Sequence, residues 1–201
     1  MSISGPTTLD VADIRGQINR LSSLLPSFML SGISEIIIDD HQFLNDKHMQ
    51  AAYRDSKIYI SSRIANKDSL LSNLVHEISH SIEVRFSELI YSDGLIEKEF
   101  LAKRKMLWQV LKQKGFNIDL SKCLSLEYDY EFDLFLYRHI GYQTLSMFTV
   151  NIFHSPYAAT SKREYFADAF EAFFMNDRVH MIKKISPAVF DKISKLLKLE
   201  K

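Results

Sequence analysis

Residues 76–80 read His-Glu-Ile-Ser-His and place two histidines four positions apart. On an α-helix, side chains at i and i+4 share one face, so both imidazoles can bind one small cation at about 2.0–2.1 Å. The pattern therefore predicts a helix and makes His76 and His80 candidate metal ligands. Glu77 is placed to take a proton from a water molecule on the same ion. These residues predict a zinc centre for metal-assisted hydrolysis, most often of a peptide bond.

So short a pattern also arises by chance on a helix, and a zinc site needs a third ligand. Glu164 and Asp168 are four apart on one face of a helix predicted for 163–175. Glu164 would complete a His2Glu set that leaves one position open for water, as catalytic zinc requires. Asp168 can accept the second N–H of a ligand histidine. Glu171 is the competing ligand, and without the upstream pattern these acids would be ordinary surface residues.

Composition limits the class of protein. The chain has 201 residues, of which 46% are hydrophobic, so a single globular domain is expected. Basic and acidic residues number 25 each, and the zero net charge gives no pull toward nucleic acid or membrane surfaces. Cys123 is the single cysteine, which excludes an intrachain disulfide and a cysteine-based zinc ribbon.

The beginning of the chain carries no secretory pattern. Residues 1–10 lack a basic region followed by an apolar stretch, and the apolar runs elsewhere are too short to span a bilayer. A cytoplasmic location is the default expectation. Delivery into another cell by a signal-independent route stays open.

Periodicity predicts the elements around the histidines. A first helix is expected between a cap at Asp10 and Pro26, and buried strands at 33–39 and 56–62. Asn66 or Asp68 can cap the helix that carries the histidines. Its predicted apolar stripe consists of Leu71, Leu74, Val75, Ile78 and Ile82. A strand leading into this helix has an edge that can pair with an extended peptide.

The second half reads as mainly helical. Residues 96–114 predict a basic amphipathic helix ended by Gly115, with 103–105 (Lys-Arg-Lys) on a solvated face rather than against phosphate or an acidic protein. Residues 127–133 alternate acids and aromatics, which favours an edge strand over a recognition loop for a basic substrate. Phe166, Phe170, Phe173 and Phe174 are expected in the core, and Pro187 is expected to open the last helix.

These motifs together resemble the gluzincin zinc metallopeptidases, and more narrowly the anthrax lethal factor catalytic domain and the Pro-Pro endopeptidase family. His76-Glu77-x-x-His80 matches the zinc motif, and 164–170 (Glu-Tyr-Phe-Ala-Asp-Ala-Phe) is similar to the family's Glu-Phe-Phe-Ala-Glu-x-Phe. Tyr157 stands seven positions before Glu164, where the family has a tyrosine. Residues 186–190 (Ser-Pro-Ala-Val-Phe) resemble the closing Pro-x-x-Phe/Tyr helix. The resemblance covers roughly 65–90 and 150–200.

The resemblance implies a helix-rich α+β, zincin-like fold. A single metallopeptidase domain, 1–201, would comprise an N-terminal sheet with the active-site helix in 1–92 and a helical part supplying the third ligand in 93–201. Three features depart from the family pattern: Asp168 replaces a Glu, Ser79 stands where Gly or Ala is usual, and the 81–163 interval is longer.

The resemblance also implies roles for individual residues. One Zn2+ per chain would be held by His76, His80 and Glu164, with Asp168 supporting a ligand. Glu77 would be the general base, and Tyr157 would donate to the oxyanion. The partner would be a protein or peptide substrate, with no nucleic acid or membrane.

Two other functions compete with this endopeptidase as interpretations of the sequence. One is a regulatory metallopeptidase that cleaves repressors, although its third ligand usually follows sooner. The other is a non-catalytic module that kept the fold. Residues 93–150 are expected to carry specificity or partner binding. His154 could assist the oxyanion, although a loop histidine without a metal is the preferred interpretation. No role is assigned to His41, His48, His139 and His180.

Overall fold

A computed structural model gives the fold, and it describes residues 2–4, 11–46, 49–175 and 179–200. The chain divides into two compact units, Met1–Ser87 with Leu197–Lys201 and Glu88–Leu196. The predicted single-domain organisation over 1–201 stays a prediction. Asp10, the expected helix cap, and His48 lie outside the described residues.

The first unit contains a small sheet of four strands. These are β1 (Ser2–Ser4), β2 (Glu35–Ile38), β3 (Ala51–Arg54) and β4 (Lys57–Ile60). Their order across the sheet is β1-β2-β4-β3. β2 runs parallel to β1 and to β4, whereas β3 is antiparallel to β4 and forms one edge.

The strands expected at 33–39 and 56–62 are confirmed as β2 and β4, each shorter than predicted. In both strands buried isoleucines alternate with half-buried residues, so one face of the sheet lies in the core. The buried residues are Ile36, Ile38, Ile58 and Ile60.

The sequence patterns do not predict the edge strand β3. It is joined to β4 by Asp55 and Ser56, whose φ angles are 51° and 62°. A two-residue hairpin loop with both φ angles positive matches a type I′ turn, which favours Asn-Gly or Asp-Gly. The Asp-Ser pair is a weaker signal because serine seldom adopts positive φ. The hairpin is therefore hard to see in the sequence.

Four helices complete the described part of this unit before residue 87. They are α1 (Val11–Leu24), α2 (Ser27–Leu30), α3 (Gln42–Asp46) and α4 (Lys67–Arg85). The predicted first helix is confirmed as α1. Ile14, Leu21 and Leu25 are buried, and α1 packs against α4.

Helix α4 carries the two histidines, as predicted. The Asn66 side chain accepts a hydrogen bond from the backbone N–H of Ser69 at 2.9 Å, so Asn66 is the cap. All five predicted stripe residues are fully buried, and α4 packs against β3 and β4. Burial of this stripe fixes the rotation of the helix and hence the direction of the histidines.

The described residues of the second unit form helices joined by turns and loops, with no strand among them. It contains α5 (Ser87–Tyr91), α6 (Leu95–Gln113), α7 (Leu120–Cys123), α8 (Tyr130–Leu134), a π-helical segment (Phe135–Ile140), α9 (Tyr142–Phe148), a 3-10 turn (Tyr157–Ala159), α10 (Lys162–Met175), α11 (Val179–Ile185) and α12 (Pro187–Leu196). A further 3-10 segment, Leu197–Glu200, belongs to the first unit. The predicted helices are confirmed as α6, α10 and α12, with Gly115 following α6 at φ 85°.

Helix α10 lies against α6, α11 and α12. Phe166 and Phe170 are fully buried, as expected, whereas Phe173 and Phe174 are only half-buried. Glu99 of α6 accepts the Tyr165 hydroxyl at 2.6 Å and the backbone N–H of Ala188 at 2.9 Å. One carboxylate therefore joins α6 to α10 and to the start of α12.

The prediction of a solvated face at 103–105 is wrong for two of its three residues. Lys103 is 8% exposed and Arg104 only 1%, whereas Lys105 is exposed. Backbone carbonyl oxygens take the place of water around both buried cations. Lys103 donates to Ile152 O, and Arg104 donates to carbonyls of two chain segments.

The edge strand expected at 127–133 is also wrong, because helix α8 begins at Tyr130. The Asp129 side chain accepts the backbone N–H of Phe132 at 2.9 Å and so caps that helix. An aspartate at a cap position outweighs the alternating pattern in so short a segment.

The helix-rich α+β description is confirmed for the described residues, which combine many helices with one small sheet. Among those residues, no helix combines the length and the apolar character needed to cross a bilayer.

Candidate metal centre

Helix α4 places both predicted histidine ligands on one face. The ring centroids of His76 and His80 lie 5.2 Å apart, and the ring planes are nearly perpendicular at 80°. His80 is buried, whereas His76 is half-buried. The pair therefore lies at the border of the helix's buried stripe, as its sequence position predicts.

Glu77 is held by the edge strand of the sheet. Its Oε2 accepts the backbone N–H of Tyr53 at 2.6 Å, and the side chain is only 6% exposed. Tyr53 is paired in register with Ile58 of β4. Because β3 is an edge strand, its outward N–H groups have no neighbouring strand to bond. Glu77 takes one of these groups, which joins α4 to β3.

A second carboxylate on α4 contacts His80. The Nδ1 of His80 lies 2.6 Å from Oε2 of Glu83, and both side chains are more than nine-tenths buried. No role is predicted for Glu83 from the sequence. The available signal was its spacing, since a residue at i+3 lies beside the histidine on the same helix face.

Glu164 lies in the first turn of α10. Its backbone N–H donates to the hydroxyl of Ser161 at 3.1 Å, so Ser161 caps the helix. A carboxylate in this first turn is favoured by the helix dipole. Glu164 and Asp168 are both half-buried and one turn apart, as predicted.

Among the described residues, His76, His80 and Glu164 form a group that could hold a metal ion. Each offers one ligand atom, and these atoms all lie within 4.8 Å of one another. Two imidazole nitrogens and one carboxylate oxygen are donors suited to zinc with an open position. The competing candidate Glu171 does not belong to this group. The donor chemistry therefore fits the predicted ion.

Tyr157 opens the 3-10 turn that precedes α10. Burial raises the pKa of its hydroxyl well above the ordinary value, and the Glu164 carboxylate acts in the same direction. The hydroxyl is therefore protonated at neutral pH and available as a hydrogen-bond donor.

Two further tyrosines surround an acid in the same unit. Asp133 accepts the hydroxyl of Tyr128 at 2.7 Å and that of Tyr142 at 2.6 Å. Burial raises the pKa of both tyrosines, and the charges of Asp133 and Glu164 add to the effect. All three residues lie in the 93–150 segment, and the sequence predicts no individual role for them.

Arg104 supports the turn that carries Tyr157. Its guanidinium donates to the carbonyl oxygens of Ala159 and Thr160, two and three residues after Tyr157. It also donates to Lys122 O at 2.9 Å and to Cys123 O at 2.7 Å. Burial lowers the pKa of Arg104 to about 10, so the side chain stays charged at neutral pH.

His154 is bonded within the second unit. Its Nε2 lies 3.1 Å from the hydroxyl of Ser186. Burial lowers the pKa of His154 to about 4, and the Lys103 charge acts in the same direction. The imidazole is therefore neutral at pH 7.

Elsewhere in the described residues, two histidines pack on aromatic rings. His41 contacts Tyr59, and His139 contacts Phe135.

Comparison with protein-family models, with curated proteins and with solved structures finds no match to this chain.

Proposed function

We propose that this protein is a zinc-dependent endopeptidase that hydrolyses a peptide bond of a protein or peptide substrate. One observation carries the proposal: the ligand atoms of His76, His80 and Glu164 lie within 4.8 Å of one another. Glu77 follows the first histidine directly, where a general base is needed. A metal group without an adjacent base would support a structural ion equally well.

Three side chains would hold the ion in this proposal. The histidines supply neutral nitrogen donors, and Glu164 supplies one negative charge. When bound, zinc would act as a Lewis acid that polarises the substrate carbonyl and lowers the pKa of a water molecule to about 7. This set resembles the gluzincin pattern, and the zincin-like fold is part of the same proposal.

Glu77 would transfer the proton, and Tyr157 would stabilise the negative charge of the oxyanion. Glu77 would take the proton of the attacking water and later give it to the leaving amine. Its bond to the Tyr53 N–H supports this role because it holds the carboxylate in one orientation. Tyr157 would donate its hydroxyl hydrogen to the oxyanion, a contribution typically of ~2.7–4 kcal/mol to the barrier.

The test compares zinc content and cleavage of a diverse peptide library for the wild type and Glu77→Gln. The amide oxygen can still accept the Tyr53 N–H, but the side chain can no longer accept a proton from water. We expect one zinc per chain in both proteins and a loss of cleavage of roughly 10²–10⁴-fold in the variant. Asp68→Asn, an exposed change on the same helix, is the matched control.

Each remaining outcome has a defined meaning. Zinc in both proteins without cleavage in either would favour a non-catalytic module or a narrow protein substrate over a general endopeptidase. Equal cleavage by the wild type and Glu77→Gln would contradict the role of the base. Absence of zinc from the folded wild type would contradict the metal centre itself.

A further inference from the structure

We propose that Glu83 is a positioning residue for the metal centre, acting through His80. This inference rests on the proposed function, because it concerns how a ligand of that centre is oriented. Glu83 does not belong to the group of candidate ligands. Its effect would be exerted on the nitrogen of His80 that faces away from the ion.

The geometry is that of a strong hydrogen bond. The Nδ1 of His80 and Oε2 of Glu83 are 2.6 Å apart, slightly shorter than the usual distance of about 2.7–2.9 Å for charge-assisted N–H···O bonds. The exposed fractions of the two side chains are 9% and 4%, so water competes little for either partner. A short bond in a buried setting holds the imidazole ring at a fixed angle.

The chemistry of the pair selects one tautomer. A carboxylate can only accept, so Nδ1 of His80 must carry the hydrogen. In neutral imidazole the Nε2 lone pair is then left for the metal. The negative carboxylate also raises the basicity of the ring, which strengthens the bond of Nε2 to a cation.

The position of the acid on the chain adds a further consequence. His80 and Glu83 lie on one helix, three residues apart, so the distance between them is set within α4. The contact that orients His80 therefore lies within a single helix.

The test is the zinc dissociation constant, measured by competition with a chelator, for Glu83→Ala and Glu83→Gln in the full chain. Removing such a supporting carboxylate typically weakens metal binding 10–100-fold, and we expect this for Glu83→Ala. Glu83→Gln keeps an acceptor for the Nδ1 hydrogen but loses the charge, so a smaller loss is expected. Asp68→Asn is the control for a lost acid on the same helix.

A merely structural role of Glu83 is separated by two further readouts. The free energy of unfolding in excess chelator measures any effect on the fold without metal. Long-range proton–nitrogen NMR of the zinc-loaded wild type should show hydrogen on Nδ1 of His80. If Glu83→Ala does not fold, the zinc dissociation constant of Glu83→Gln and the NMR measurement on the wild type decide between the positioning role and a merely structural role.

Two results would overturn the inference while leaving the proposed function intact. One is an unchanged zinc dissociation constant in the folded Glu83 variants. The other is a wild type in which Nδ1 of His80, rather than Nε2, binds the metal. A folded wild type that binds no zinc would overturn the proposed function and this inference together, so the two failures are distinguishable.

Discussion

The backbone N–H of Tyr53 donates to Oε2 of Glu77 over 2.6 Å and thereby ties the edge of the sheet to helix α4. The bond joins β3 to Glu77. The sequence patterns do not predict β3, whereas Glu77 is the residue for which they predict the clearest role. It also uses one of the outward N–H groups with which β3 could pair with another extended chain.

Tyr53→Pro tests this bond, because proline has no N–H and is tolerated on an edge strand. We expect kcat to fall roughly 10–100-fold through misplacement of the Glu77 carboxylate. Zinc content should not change. Steady-state kinetics on a peptide identified by the library measures the effect. Tyr53→Ala keeps the N–H and removes only the ring; equal losses in the two variants would contradict a role for the N–H.

Tyr157→Phe tests the proposed oxyanion donor. The burial that raises the pKa of Tyr157 keeps its hydroxyl protonated throughout the neutral range. Loss of one such donor should lower kcat about 10²–10³-fold with little change in KM or zinc content. Tyr130→Phe removes the hydroxyl of an exposed tyrosine in the same unit and serves as the control. Full activity of Tyr157→Phe would rule out the donor role.

His154 should make the protein less stable in acid. Burial lowers its pKa from 6.5 to about 4 in the folded state. Between these values the unfolded chain binds more protons, so stability is present above pH 6.5 and is lost as the pH falls toward 4. The free energy of unfolding should fall by at most about 3 kcal/mol over this range, because each pKa unit corresponds to about 1.36 kcal/mol.

Urea denaturation at pH 7 and pH 4 measures this contribution of His154. The His154→Gln variant should show a correspondingly smaller difference between its two free energies of unfolding. His139→Gln, at an exposed histidine in the same unit, is the control. An unchanged difference in His154→Gln would assign the acid sensitivity to other groups.

Arg104→Met should destabilise the fold by about 3–5 kcal/mol, because several buried carbonyl oxygens lose their donor. The guanidinium also packs over the Phe132 ring at 3.9 Å, a contact that methionine does not reproduce. Lys105→Met changes an exposed neighbour and should cost less than about 0.5 kcal/mol. Similar free energies of unfolding for the two variants would contradict the role given to Arg104.

The sequence was informative where a pattern is local. The stripe of α4, the cap at Asn66 and the two histidines all lie within 66–82, and the structure confirms that helix. Periodicity alone specifies such a helix because its buried face is continuous.

The sequence was less informative where the partner of a residue is distant along the chain. Arg104 reads as one of three surface cations, and only folding brings the carbonyls at 159–160 to it. Tyr53 lies on a strand whose hairpin lacks the usual Asn-Gly turn. The contact of Glu83 with His80 is compatible with their spacing in the sequence, but an acid three residues after a histidine is too common on helices to predict it.

Arg104 binds carbonyl oxygens at 122–123 and at 159–160. Both ends of the segment 124–158 are therefore held by the same side chain. For a flexible loop whose ends are held together, each doubling of its length adds only about 0.6 kcal/mol to the free-energy cost of closure. Insertions at the exposed turn of 150–151 should therefore be tolerated without moving Glu164. Chains that differ in length at this turn would keep the start of α10 in place, because the segment is closed by the two sets of contacts to Arg104.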